Sequence, residues 1–297
     1  ERGELRVQDL ALRLDTSVWR LARAAVVHWH PAGMELHDVE LRSNTGGLVY
    51  MNGMLPTEGN ANLVLDVRNF QIADVAMFAQ SALPITGILT ARGVLHGTMS
   101  DPRFRGAAGL VNGNYNGSVI PNLQATLRYA DASLAIHVET VGDSGATPTA
   151  IADASLPINL ALSGVTGPRL LERPMRVDIA GDSLPLDLIP ALTDLVEDIG
   201  GVASGRLAMR GTLRRPELTG ALAWRNGSFR VVATGMEVRQ IVGSIRMARD
   251  TVFVDSLAGT SGSGTVQLTG ELFVGDWREP EFNLHVVAIE AEVLDSD

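Results

Sequence analysis

A set of turn-forming residues recurs in this chain at a fixed spacing of 114 positions, with no gap needed to align it. Phe70-Gln71-Ile72 falls on Leu184-Pro185-Leu186, Gly87 on Gly201, Gly97-Thr98 on Gly211-Thr212, Pro102 on Pro216, Gly106-Ala107 on Gly220-Ala221, and Asn112-Gly113-Asn114-Tyr115 on Asn226-Gly227-Ser228-Phe229. A shift of 221 adds Asn62-Leu63 on Asn283-Leu284 and Ile72-Ala73-Asp74 on Val293-Leu294-Asp295. Such self-similarity marks a repeat architecture, in which neighbouring units bury a face that one unit alone cannot. The division it predicts is 1–71 as the end of one β repeat, 72–185 as a helix plus meander, 186–292 as a second, and 293–297 as the start of a third.

Within a repeat the period is two. Leu207/Met209, Leu218/Gly220/Leu222/Trp224, Ile245/Met247 and Val266/Leu268 alternate with polar or small residues, as in strands whose two faces differ. Pro216, Asn226-Gly227, Arg249-Asp250 and Gly262-Ser263-Gly264 supply the fixed or positive φ values with which a chain reverses. Upstream, the same pattern predicts strands over 5–14 (with an irregularity near Asp9), 19–29, 34–41, 48–54, 63–67, 87–97, 104–111, 115–120, 123–129, 134–138 and 151–162. Residues 142–149, rich in Gly and Thr, read as a loop. The period changes twice. Helical spacing predicts a helix over 72–83, with Asp74 at its dipole, and another over 186–199 with Ser183 near its cap.

Composition agrees with a turn-rich β protein, with 31 glycines and only 5% aromatic residues in 297. A net charge of −10 with no clustered basic face argues against nucleic acid as a partner. There is no Cys, which excludes disulfides and thiolate metal sites. The apolar runs fall short of the ~18–20 residues of a membrane-spanning helix. The chain begins at Glu1 without a signal-peptide pattern and stops in mid-pattern, so it is expected to be part of something longer.

No catalytic constellation is legible, and the chain is expected not to be an enzyme. His28 and His30 share one strand face at a spacing that can chelate a metal, but no third ligand follows from the sequence, and they read as two solvent-facing histidines. The acidic residues of 186–199 read as a solvated helix face. Gly259 to Gly264 is neither a nucleophile elbow nor a phosphate loop. Asn116-Gly117-Ser118 and Asn226-Gly227-Ser228 match the glycosylation pattern but read as turns. No cofactor or metal is expected.

The order G-x-L-x-x-x-G-T-L-x-x-P-x-L-x-G-x-L from Gly205, then Asn-Gly, then Gly-x-Gly, resembles the repeats of the TamB and AsmA-like envelope proteins. Trp19 to Val27 and Asn52 to Pro56 resemble the TamB branch. The resemblance implies a long antiparallel sheet curled into a half-open trough, the β-taco, with an apolar inner wall. It implies a periplasmic protein of a diderm bacterium, held to the inner membrane by a segment outside this chain, that carries phospholipid or another acyl-chain ligand between membranes and supports outer-membrane biogenesis or protein assembly. A TamA-like outer-membrane barrel would be a partner through regions outside the chain. The lining is expected to be Val27, Trp29, Leu63, Leu65, Leu134, Ile136, Leu207, Met209, Leu222, Trp224, Ile245, Met247, Val266, Leu268, Leu284 and Val286. The alternative is an elongated, adhesin-like β protein with a dry core and no conduit.

Overall fold

The computed structural model describes residues 3–14, 17–76, 85–115, 117–142, 147–184, 186, 196–273 and 281–292. It is mainly β: 20 described strands form antiparallel ladders of an open sheet. The chain clusters into two compact units, one of Glu1–Asn114, Pro121–Val138 and Ser155–Leu171, the other of Tyr115–Ile120, Glu139–Ala154 and Glu172–Asp297.

The first unit begins with two interrupted strands. β1 (Gly3–Val7) and β2 (Ala11–Leu14) break near Asp9, where the sequence shows its irregularity, and β3 (Ser17–Leu21) and β4 (Ala25–His30) break at residues 22–24. β1 pairs with β4 and β2 with β3, and both β3 and β4 pair with β5 (Gly33–Ser43). The predicted single strands over 5–14 and 19–29 are therefore each two. β6 (Leu48–Pro56), β7 (Ala61–Gln71) and β8 (Ile85–Gly97) continue the meander. β9 (Pro102–Tyr115) pairs with β11 (Leu123–Ala130), and β12 (Ser133–Thr140) follows, whereas β10 (Ser118–Ile120) and the first half of β13 (Ala150–Pro157) belong to the second unit. The predicted strand over 151–162 ends at Pro157, after which 158–171 is irregular apart from the Ile158–Leu170 bridge.

Of the helix predicted over 72–83, residues 72–76 lie among the described residues, and α1 spans Ala73–Ala76. Asp74 stands in the first turn of α1, as the sequence predicts. It is buried, accepting hydrogen bonds from Ser17 Oγ at 2.6 Å and Trp19 Nε1 at 3.1 Å. A buried carboxylate persists only with such donors, so this pair ties α1 to β3.

In the second unit β14 (Arg176–Leu184), β15 (Val196–Gly211), β16 (Pro216–Val231), β17 (Glu237–Arg249), β18 (Thr251–Ser261), β19 (Gly264–Phe273) and β20 (Glu281–Ile289) pair in chain order. Arg249-Asp250 and Gly262-Ser263 make the two-residue hairpin turns expected of them, with Arg249 and Gly262 at φ +60° and +58°.

Two sequence expectations fail together here. Asn226-Gly227 does not reverse the chain: Asn226 sits at φ +49° inside β16 and the ladder shifts register around Gly227, which is a β-bulge. A two-residue reversal of the type Asn-Gly favours needs positive φ at both residues, and Gly227 does not have it. The strand therefore runs on to Val231, where Val196 pairs with Val231 and Glu197 with Arg230. Val196 to Ile199, the end of the helix predicted over 186–199, are thus β15, and Ser183 lies in β14 instead of at a cap. Residues 187–195, 293–297 and the rest of the first predicted helix fall outside the described residues.

The spacing of 114 has a local counterpart in each unit. Gly97 and Gly211 adopt φ +85° and +84°. Thr98 N donates to Asp101 O at 3.1 Å and Thr212 N to Arg215 O at 3.3 Å, while each Thr Oγ1 accepts from the backbone N three residues on. A Cβ at either glycine would stand 2.4 or 2.3 Å from that carbonyl oxygen, so only Gly fits. Asn112, at φ +54° inside β9, repeats the positive φ of Asn226. The apolar fill differs: Phe104 lies over Gly93 and Gly106, whereas Leu218 and Leu207 occupy the positions of Phe104 and Gly93.

Candidate functional site: a one-sided apolar face

Residues opposite one another in an antiparallel ladder point to the same face, so the registers decide which side chains share a surface. In the second unit Ile179, Leu207, Gly220, Met247, Val252 and Leu272 form one row across six strands. The next row is Gly205, Leu222, Ile245, Val254, Gly270 and Leu284, and the one after it Ala203, Trp224, Gly243, Leu257, Leu268 and Val286. Met209 lies beside Leu218, and Val266 beside Gly259. All ten lining residues predicted in this unit, Leu207, Met209, Leu222, Trp224, Ile245, Met247, Val266, Leu268, Leu284 and Val286, therefore share one face. Alternate residues on the other face carry Arg206, Thr219, Arg246, Asp255, Gln267 and Thr269, with Arg246 bridging Asp255 at 2.8 Å.

Glycines sit inside the apolar rows. Gly205 and Gly220, at φ +148° and +139°, let the strands approach so closely that a Cβ would lie 2.1 and 2.2 Å from a carbonyl oxygen of the neighbouring strand. No other residue can stand there.

The face is not uniform. Val238, Ile241, Val254, Leu257 and Val266 form a buried cluster against which Trp224, Phe229, Met236, Ile245 and Leu268 pack. Trp224 lies over buried Gly227, where a Cβ would meet its indole at 2.5 Å, and donates its Nε1 proton to Gly200 O at 3.0 Å. Leu207, Met209, Leu222 and Met247 are only half-buried. On β20 the face opens fully: Leu284 is 38% and Val286 55% exposed.

In the first unit, Leu63 lies in the row Val27, Leu36, Gly53, Leu63, Leu95, and Leu65 in the row Val39, Met51, Leu65, Gly93. Val27 and Leu63 pack on a buried cluster of Ala25, Leu36 and Val39. Trp29 pairs with Met34 on the same face and is 46% exposed. Leu134 and Ile136 are half-buried on one face of β12.

The opposite face of the first unit holds residues that the sequence does not bring together. The two-residue loop Pro31-Ala32 sets His30 against Gly33, hence His28 against Glu35 and Val26 against His37, and β1 adds Glu4 opposite His28. Glu35 accepts from His37 Nε2 at 3.3 Å and lies 3.5 Å from His30 Nε2, contacts that hold its carboxyl below the usual carboxylate range. No protein-family model, curated protein or solved structure matches this chain.

Proposed function

We propose that this chain is a segment of a TamB or AsmA-like envelope protein whose apolar sheet face forms the inner wall of a half-open trough, the β-taco, and carries acyl chains of phospholipid between membranes. One observation carries the reading: the three adjacent rows through Leu207, Leu222 and Trp224 continue across β15 to β19 on one face, and much of that surface is left half-exposed. Contiguous exposed apolar surface of this kind marks a place where something apolar binds. An acyl chain gains ~0.8 kcal/mol for each CH₂ sheltered from water. A continuous wall recovers that sum at every position along a path, whereas an isolated pocket recovers it once. The work is binding and passage without bond chemistry, in the periplasm of a diderm envelope, with outer-membrane biogenesis or protein assembly as its outcome and a TamA-like barrel as a partner through regions beyond this chain.

The alternative, an elongated adhesin-like protein with a dry core, is favoured by the buried cluster around Ile241. A fluorescent diacyl phospholipid, added below its aggregation threshold, separates the two. Saturable binding that an unlabelled diacyl lipid competes away is the expected result; an unchanged signal would leave the dry-core protein.

A further inference from the structure

We propose that the His28, Glu35, His37 cluster on β4 and β5 is a binding site for a first-row divalent transition metal of the zinc type. One donor atom from each of the three residues lies within 4.8 Å of the others. Zinc holds imidazole nitrogen at about 2.0–2.1 Å and carboxylate oxygen at about 2.0–2.2 Å, so donors around it stand roughly 3.3–3.5 Å apart in a tetrahedron. His37 Nε2 already lies 3.3 Å from Glu35 Oε2, and His28 Nδ1 lies 4.0 Å from that same oxygen. Closing the cluster requires only side-chain rotations, because all three side chains stand on one face of a single hairpin.

The groups around the cluster are placed as outer partners. Glu4 Oε2 faces the other ring nitrogen of His28, Nε2, at 3.6 Å, while Arg6 holds the remaining Glu4 oxygen at 3.3 Å. A carboxylate behind the imidazole fixes its tautomer and raises its basicity as a ligand. His30 Nε2 stands 3.5 Å from Glu35 Oε1, the oxygen turned away from His37. Two imidazoles and one carboxylate form a borderline donor set that prefers zinc, copper or nickel to magnesium or calcium. Three protein donors on an exposed face leave the fourth position to water or to a donor from a partner. The histidines in this site are on the face opposite Val27 and Trp29, so the site is independent of the apolar surface.

The test is titration of the intact chain with Zn²⁺, read by the imidazole resonances, and with Co²⁺, read by its visible absorption. One equivalent of Zn²⁺ should shift His28 and His37, and Co²⁺ should give a nitrogen-ligand spectrum that Zn²⁺ abolishes. His37→Ala and Glu35→Gln should each weaken binding about a hundredfold or more, and Glu4→Gln by about tenfold, the low end of outer-partner losses. His285→Ala, on β20, should change nothing. The Co²⁺ spectrum needs no variant, so misfolding of a substituted chain cannot rescue the proposal. Unmoved His28 and His37 resonances, or Zn²⁺ affinity unchanged in His37→Ala, would overturn it.

Discussion

The two ends of the apolar face in the second unit are built from the same residue types but differ in how they end. Around Ile241 the side chains close on one another, and Val238, Ile241, Val254, Leu257 and Val266 are all buried. On β15 and β16, and further along β17, Leu207, Leu222 and Met247 remain half-exposed, with Leu222 resting on a separate buried cluster of Ala150, Leu184 and Ala203. Composition does not separate the two regions. What differs is the presence of Phe229, Met236 and Trp224 over the first, brought there because β16 bulges at Asn226 and continues to Val231. The buried end closes on itself, and the open end leaves its apolar side chains partly in solvent.

Substitution should split the two ends sharply. Ile241→Ala, at the most buried apolar position of the cluster, should cost about 2–5 kcal/mol in denaturant unfolding, the range for large-to-small changes in a core. Gly243→Ala comes next. Its Cβ would stand 1.8 Å from Ser256 O, so β17 and β18 must separate, at a cost of about 1–3 kcal/mol in the same measurement. At the open end, Leu222→Ser should cost only about 1 kcal/mol, since a half-buried leucine contributes part of its full transfer energy, yet it should weaken phospholipid binding clearly. A cost at Leu222 equal to that at Ile241 would erase the distinction between the ends.

The smallest effect concerns the polar face. Asp178 is held below the usual carboxylate range by hydrogen bonds from Arg210 and then Arg176. A carboxyl with a lowered folded-state pKa stabilises the fold in full above its ordinary value, about 3.9, and loses that contribution as pH falls through the lowered one. Asp178→Asn should therefore lower stability slightly near neutrality, by an amount that shrinks as pH falls below about 4, so that the acid limb of the stability profile flattens. A stronger effect at pH 3 than at pH 7 would reverse the sign and contradict the assignment.

Much of this arrangement was legible in the sequence. The two-residue alternation grouped Leu207 with Met209, Leu222 with Trp224 and Ile245 with Met247 on one side of their own strands, because parity fixes facing within a strand, whereas the register between strands brings those sides onto one face. The turns at Arg249-Asp250 and Gly262-Ser263 were legible from residue type. Asn226-Gly227 was not, since the same pair serves a hairpin or a bulge, and the φ of the glycine decides between them. That single ambiguity also hid the strand at Val196 to Ile199, whose partner exists only if β16 continues. The His28, Glu35, His37 cluster stayed hidden for a different reason. His28 and His30 are neighbours in sequence, but Glu35 and His37 reach them only through the register set by Pro31-Ala32. Reading that pair as a two-residue loop would have found the cluster.

The open end can be tested directly by placing a photoreactive residue at Leu222 and at Met247, with Ala223 and Arg246 as neighbours on the opposite face. Irradiation in the presence of phospholipid should give lipid adducts at Leu222 and Met247 and none at Ala223 and Arg246. Equal labelling on both faces, or adducts at neither Leu222 nor Met247 in a folded chain, would contradict an acyl-chain path along this surface.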